Sequence, residues 1–256
     1  MGVNLPEIVL QPIEQLINMK TNLKTLIGLL ALIASTLFFT SCQIDDPGPL
    51  QFGERTFTIE NFNRLEMGSA FTIIVRQGAT FSVEATGDVR NLDDLVVIKN
   101  GSTLVAYYDR HANRRHTTTL HITLPDLAGA NFSGASISDI QGFERSEQVE
   151  LVLSGASMCK LYPGFADVKL NLSGASELDV SGNGTKLLAA LSGASKLKAH
   201  EFAVENATLD ISGASTARVS VHEQLTVVAS GASSVRYHGN PTVHSTVTGG
   251  STLIKE

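Results

Sequence analysis

The tetrapeptide Ser-Gly-Ala-Ser occurs six times, beginning at Ser133, Ser154, Ser173, Ser192, Ser212 and Ser230, and a looser copy, Thr248-Gly249-Gly250-Ser251, closes the series. Successive copies start 21, 19, 19, 20, 18 and 18 residues apart. A period near 20 sustained over more than 100 residues is the signature of a solenoid, because each repeat is too small to bury its own apolar face and must stack on its neighbours.

Alignment of the copies shows what one repeat supplies. Five, three and one residues before the first serine stand Val149, Leu151 and Leu153, then Val168, Leu170 and Leu172, then Leu187, Ala189 and Leu191, then Ala207, Leu209 and Ile211. Apolar residues at every second position mark a strand with one buried face. The alternation resumes beyond the tetrapeptide at Leu178 and Val180, Leu197 and Ala199, Ala217 and Val219, and Val235 and Tyr237. Each repeat therefore reads as strand, tight corner, strand and return loop. Pro163-Gly164-Phe165, Gly182-Asn183-Gly184 and Gly239-Asn240-Pro241 supply turn formers for three of the loops.

The corner glycines Gly134, Gly155, Gly174, Gly193, Gly213 and Gly231 fit a turn that needs positive φ, and the alanines are small enough for a narrow convergence of strands. The serines can bond local backbone or the serine one coil away, about 4.8 Å distant. A nucleophilic role for them fails, since no column of histidines accompanies the six copies to act as base. The composition agrees with a long, thin core: 43% apolar residues, 6% aromatic and no Trp. A formal charge of −6 without an extended basic stretch argues against nucleic acid as partner.

Residues 1–41 read as a signal peptide, with 1–18 as an over-extended start ahead of Met19. Lys20 and Lys24 precede an apolar run from Leu26 to Phe39 that is too short to span a bilayer, and Thr40-Ser41-Cys42 follows. Cys42 resembles the lipidated cysteine of a bacterial lipoprotein, with Phe39 where that pattern usually carries Leu. The resemblance implies cleavage before Cys42 and a lipid anchor in the outer membrane. Residues 42–54 form a polar tether, whose Asp45-Asp46 pair resembles the acidic export signal of surface-displayed lipoproteins. With Cys42 acylated, no intrachain disulfide is available, and Cys159 falls on an inward column as a small hydrophobe.

Residues 55–127 are β-rich without a fixed period, and 128–256 hold the regular repeats. Strands are marked by Phe71, Ile73 and Val75, by Val96 and Ile98, by Leu104 and Ala106, and by Leu120, Ile122 and Leu124, with Asn100-Gly101 as a hairpin turn. Gly68-Ser69-Ala70-Phe71-Thr72-Ile73 and Asn100-Gly101-Ser102-Thr103-Leu104 look like eroded repeats, so the segment is expected to supply degenerate coils that cap or open the solenoid.

Phe62-Asn63-Arg64-Leu65, Gly68-Ser69-Ala70-Phe71, Ile73-Ile74-Val75-Arg76-Gln77-Gly78, Asn91-Leu92 and Gly101-Ser102-Thr103-Leu104, followed by the Ser-Gly-Ala-Ser series, resemble the putative auto-transporter adhesin family with a head GIN domain. The similarity runs over about residues 55–256, although the Gly-Ile-Asn motif of the family name is absent after Cys42. The resemblance implies an all-β fold, a single-stranded right-handed parallel β-helix, with no catalytic residues to carry over. The expected function is a non-catalytic adhesion or glycan- and protein-binding module at the bacterial surface, with a structural envelope scaffold or, behind it, a carbohydrate-active β-helix enzyme as the alternatives.

Two polar features remain. Asp109 to His116 is the most cationic stretch, and Arg110, His111, Arg114, Arg115 and His116 form a candidate loop for an acidic glycan or an envelope or host protein. No Cys or carboxylate sits at metal-ligand spacing from His111 and His116, so neither metal nor other cofactor is expected. The second feature is a column three residues past each corner, Asp139, Lys160, Asp179, Lys198, Arg218 and Arg236, whose first four members alternate in sign. Polysaccharide-active β-helices need acidic and basic groups converging on one face, and this column disperses them. No enzymatic activity is expected.

Overall fold

A computed structural model describes residues 48–143, 146–162 and 164–256. Cys42, residues 1–47 and Pro163 lie outside the described residues. Eighteen strands join in one sheet system that coils on itself, and the only helix among the described residues is the five-residue α1, Val89–Asp93.

The regular part begins with β8 (Gly129–Phe132) and β9 (Ile137–Gln141), which flank the first corner. They are followed by β10 (Ser146–Leu153), β11 (Met158–Leu161), β12 (Phe165–Leu172), β13 (Glu177–Leu191), β14 (Lys196–Ile211), β15 (Thr216–Ala229), β16 (Ser234–His238), β17 (Thr242–Val247) and β18 (Thr252–Lys255). Parallel pairing places equivalent repeat positions in register: Leu151 opposes Leu170, Leu170 opposes Ala189, Ala189 opposes Leu209 and Leu209 opposes Val227. The inward columns read from the sequence are buried through Val235, so the chain is a parallel β-solenoid with a continuous aliphatic core.

Corners stack as closely as the strands. Their glycines adopt φ between +69° and +77°, and from the second corner on the alanine amide donates to the glycine carbonyl one coil earlier, as in Ala194 N to Gly174 O at 2.7 Å. Two details differ from the sequence reading. Every corner alanine is exposed at the turn tip, whereas the fourth serine, from Ser136 to Ser233, is buried. From Ser157 to Ser233 these hydroxyls bond backbone carbonyls rather than one another, as when Ser195 Oγ donates to Ser192 O at 2.6 Å and Ser176 Oγ reaches Leu153 O at 3.4 Å across a coil. The buried Ser136 hydroxyl, by contrast, has no hydrogen-bond partner among the described residues. Ser195→Ala is therefore expected to cost about 1 kcal/mol, the net value of one such bond, read as a small fall in the denaturation midpoint.

The return segments also differ. In β13, β14 and β15 the chain runs as one strand of 14 to 16 residues from corner to corner, so Gly182-Asn183-Gly184 is strand, not loop. Gly184 is required by close approach, because a Cβ there would lie 2.5 Å from Cζ of buried Phe202. Gly239 and Asn240 do lie between strands.

The N-terminal segment consists of β1 (Phe52–Phe57), β2 (Arg64–Met67), β3 (Thr72–Gln77), β4 (Ser82–Asp88), α1, β5 (Leu95–Asn100), β6 (Thr103–Tyr108) and β7 (Thr119–Leu124). β1 begins inside the stretch read as tether, since Phe52, Gly53 and Glu54 pair with Asp88, Gly87 and Thr86. β2 and β3 form a coil in register with β8 and β9, and β6 and β7 form a coil on its other side. The chain thus lays down its second level before its first. The first level is covered by antiparallel strands, β5 on β6 and β4 on β7, with β1 on β4. At the other end, β17 and β18 pair on one side only, with β15 and β16. In β5 the buried residues are Leu95 and Val97, so Val96 and Ile98 take the opposite face from that read in the sequence.

Candidate functional site

The level formed by β6 and β7 departs most from the repeat. Between its two strands, where every other level turns through a tetrapeptide, stand residues 109–118, so the cationic loop replaces a corner. Thr118 takes the position of the buried fourth corner residue, one level from Phe71: Thr72 N donates to Thr118 O at 3.1 Å, as Ile137 N does to Phe71 O at 2.9 Å. Thr118 is buried and receives the Tyr108 hydroxyl at 2.7 Å.

The base of the loop is fastened by α1 and the residue after it. Asp88 caps the helix, accepting from Arg90 N at 3.0 Å, and Asp94 follows its last turn with only 3% of its side chain exposed. Arg110 Nε donates to Asp94 Oδ1 at 2.8 Å, and Arg114 pairs with the other carboxylate oxygen. Arg114 also donates to Asn91 Oδ1 at 3.1 Å and lies over the Tyr108 ring, 3.6 Å from its centre. Asn91 Nδ2 donates to His116 O at 2.7 Å, and His116 Nε2 lies 3.2 Å from Gly48 O.

Burial would push the Asp94 carboxyl up, but the hydrogen bonds and charges of Arg110 and Arg114 outweigh it and hold the group below its ordinary value. Asp88 is likewise held low, chiefly by its bonds to Arg90 against the cost of burial. Burial raises the Tyr108 phenol.

The candidate loop residues therefore divide. Arg114, 14% exposed at its side chain, is an anchor between the loop and the end of the solenoid. Arg110 spends one donor on Asp94 and leaves 73% of its side chain in solvent. His111 and Arg115 are exposed, and His116 is half-buried. Together with Asp88, Arg90, Asn91 and Asp94 the loop lines a cleft of about 300 Å³. Its exposed donors can take a carboxylate or sulfate by charge-assisted hydrogen bonds. The sequence reading missed Asn91, Asp94 and Tyr108 as supports of this loop. The Asp93-Asp94 pair was the available signal: a carboxylate buried by its sheet needs a cation, and the loop holds three arginines.

Elsewhere, Cys159 is buried and desolvation pushes its thiol up to about 12, which fits the reading of a packing residue. No group of three or more His, Cys, Asp or Glu among the described residues is placed to hold a metal ion. No helix among the described residues is long and apolar enough to cross a membrane.

Stacked parallel coils with a sealed first level and one corner rebuilt as a polar loop define a capped parallel β-solenoid. The chain belongs to the family described as putative auto-transporter adhesin, head GIN domain, whose model matches residues 61–241. Its fold is shared by a solved putative adhesin from Bacteroides fragilis, at 16% identity and TM-score 0.72 over 80% of this chain and 97% of that one. A putative adhesin from Parabacteroides distasonis aligns at 16% identity and TM-score 0.67 over 82% of this chain and 98% of that one. A protein from the same species described as a putative lipid binding protein aligns at 17% identity and TM-score 0.61 over 80% and 96%. No curated protein matches the chain.

Proposed function

We propose that this protein is a lipid-anchored, non-catalytic adhesion module of the bacterial cell envelope that takes acidic ligands at the loop between β6 and β7. The observation that carries the reading is the replacement of a self-sufficient corner by a longer loop whose base is fastened by Asp94 and Asn91 while Arg110, His111 and Arg115 stay exposed. Membership of an adhesin family supports a binding role and an envelope location. Cys42 carries the proposed anchor, and Asp45-Asp46 favours the outer face.

Arg114 must be left in place when the loop is tested, because its removal strips Asp94 of its buried partner. Arg110→Gln with Arg115→Gln is expected to weaken retention on acidic glycans about tenfold with a small change in melting temperature. Unchanged retention removes the loop from the site. Cys42→Ser is expected to release the protein from membranes, and continued membrane partition after signal cleavage would place the tether elsewhere. Protease accessibility on intact cells then separates surface display from a periplasmic orientation.

A further inference from the structure

The column three residues past each corner changes character along the solenoid. Asp139, Lys160, Asp179 and Lys198 oppose one another in register and alternate in sign, as a ladder built for stability should. From Lys198 onward the alternation stops: Lys198 opposes Arg218, and Arg218 opposes Arg236. Like charges directly opposite on neighbouring strands destabilise a sheet. Lys196 stands beside them on the same outer face, with Thr216 and Ser234 continuing its column. These residues line a shallow depression of about 580 Å³, and the four cations have side-chain exposures between 36% and 53%.

The arginine pair already holds a carboxylate. Glu256 Oε1 lies 3.2 Å from Arg236 and 3.9 Å from Arg218, bridging two levels of the stack. Glu177, one level before them, reaches both lysines of a single level, 3.9 Å from Lys196 and in contact with Lys198, and Asp179 opposes Lys198 at the margin. The row thus has the spacing and donors to receive one carboxylate between adjacent levels.

We infer that the row Lys198, Arg218, Arg236, with Lys196 beside it, is a second binding site, for a linear glycan bearing one acidic group per sugar and lying along the solenoid axis. Successive cations are about 4.8 Å apart in a stacked sheet, so a chain of acidic sugars lying along the axis passes one cation per level. The patch is two cations wide only at the level of Lys196 and Lys198, narrows to one at Arg218 and Arg236, and is closed at its lysine end by Glu177 and Asp179, so it suits a single strand of charge better than an anionic plane. The Thr216 and Ser234 hydroxyls flank it as partners for sugar hydroxyls. Glu256 occupies the arginines in the free protein and is displaced by the ligand. This site rests on the adhesion reading above but not on the loop, which lies at the opposite end of the ladder.

The test compares galacturonic acid, trigalacturonate and polygalacturonate on the full chain. The site spans three levels, so trigalacturonate is expected to bind at least tenfold more tightly than the monosaccharide, with little further gain for the polymer. Arg218→Ser with Arg236→Ser is expected to abolish that gain, and Glu256→Gln, which leaves the cations in place, to strengthen trisaccharide binding severalfold. Arg110→Gln with Arg115→Gln should leave the ratio of trisaccharide to monosaccharide affinity unchanged. A length dependence that survives in the Arg218/Arg236 variant, or no response to Glu256→Gln, overturns the site while leaving the adhesion reading intact. Equal retention on single-stranded DNA or on vesicles of anionic lipid overturns its assignment to glycans. Failure of the wild-type chain to bind any acidic saccharide also overturns it, and the wider adhesion reading is then decided by neutral glycans and envelope proteins.

Discussion

Gly193→Val is expected to unfold the middle of the solenoid, whereas Gly101→Ala should cost only backbone strain. Both glycines have positive φ, +73° and +60°, so both substitutions place a side chain in a left-handed conformation, at about 1–2 kcal/mol. They differ in surroundings. A Cβ on Gly193 would lie 2.6 Å from Gly174 O, the acceptor of Ala194 N, while a Cβ on Gly101 would meet nothing within 4 Å. The neighbour at Gly193 is stacked backbone and cannot rotate away, so the coils must separate and corner bonds on both sides are lost. Valine adds a branched side chain to the same clash. A loss above about 4 kcal/mol is expected, a large share of a domain's typical stability. Urea denaturation followed by circular dichroism measures both variants. Equal, small shifts would mean that the corners do not stack in this register.

The repeat was legible because Ser-Gly-Ala-Ser is both a conformational demand and a spacing: glycine fixes the turn, and the distance between copies fixes the coil. The inward faces followed from alternation wherever polar residues interrupted the apolar ones, as at Lys169 and Asn171 between Val168, Leu170 and Leu172. Alternation failed at Leu95-Val96-Val97-Ile98, where four apolar residues in succession carry no phase, and the antiparallel pairing of β5 with β6 decides which pair is buried. The order of the first two levels was not legible, since the sequence lists β2 and β3 before β6 and β7 and carries no mark of which lies outermost. One trace is visible afterwards. Gly68-Ser69-Ala70-Phe71 aligns with Ser133 to Ser136, so that Ser69 at φ +62° holds the place of a corner glycine. The loop was found by its charge, but its anchoring was not, because Asp94 and Arg114 are 20 residues apart and meet only when β5 pairs with β6.

Asp94→Asn is expected to destabilise the sealed end of the solenoid and to change how stability depends on pH. The carboxylate is buried and holds Arg110 and Arg114, and Arg114 is itself largely buried against the Tyr108 ring. Removing one member of such a pair leaves the other charge uncompensated, at about 3 kcal/mol, the lower end of the range for buried pairs because Arg110 keeps its access to water. The sign of the pH effect follows from the depressed pKa. A carboxyl whose folded value lies below its unfolded value of about 3.9 contributes stability that is complete above that value and is lost as pH falls through the folded one. The gap between wild type and Asp94→Asn should therefore be constant from neutral pH down to about pH 5 and narrow below about pH 4. Asp88, also held low, keeps its own acid dependence in both proteins and cancels from the comparison. Denaturant midpoints across this range supply the measurement. A gap that stays constant to the lowest pH would show that Asp94 acts by shape and hydrogen bonding alone, without its charge.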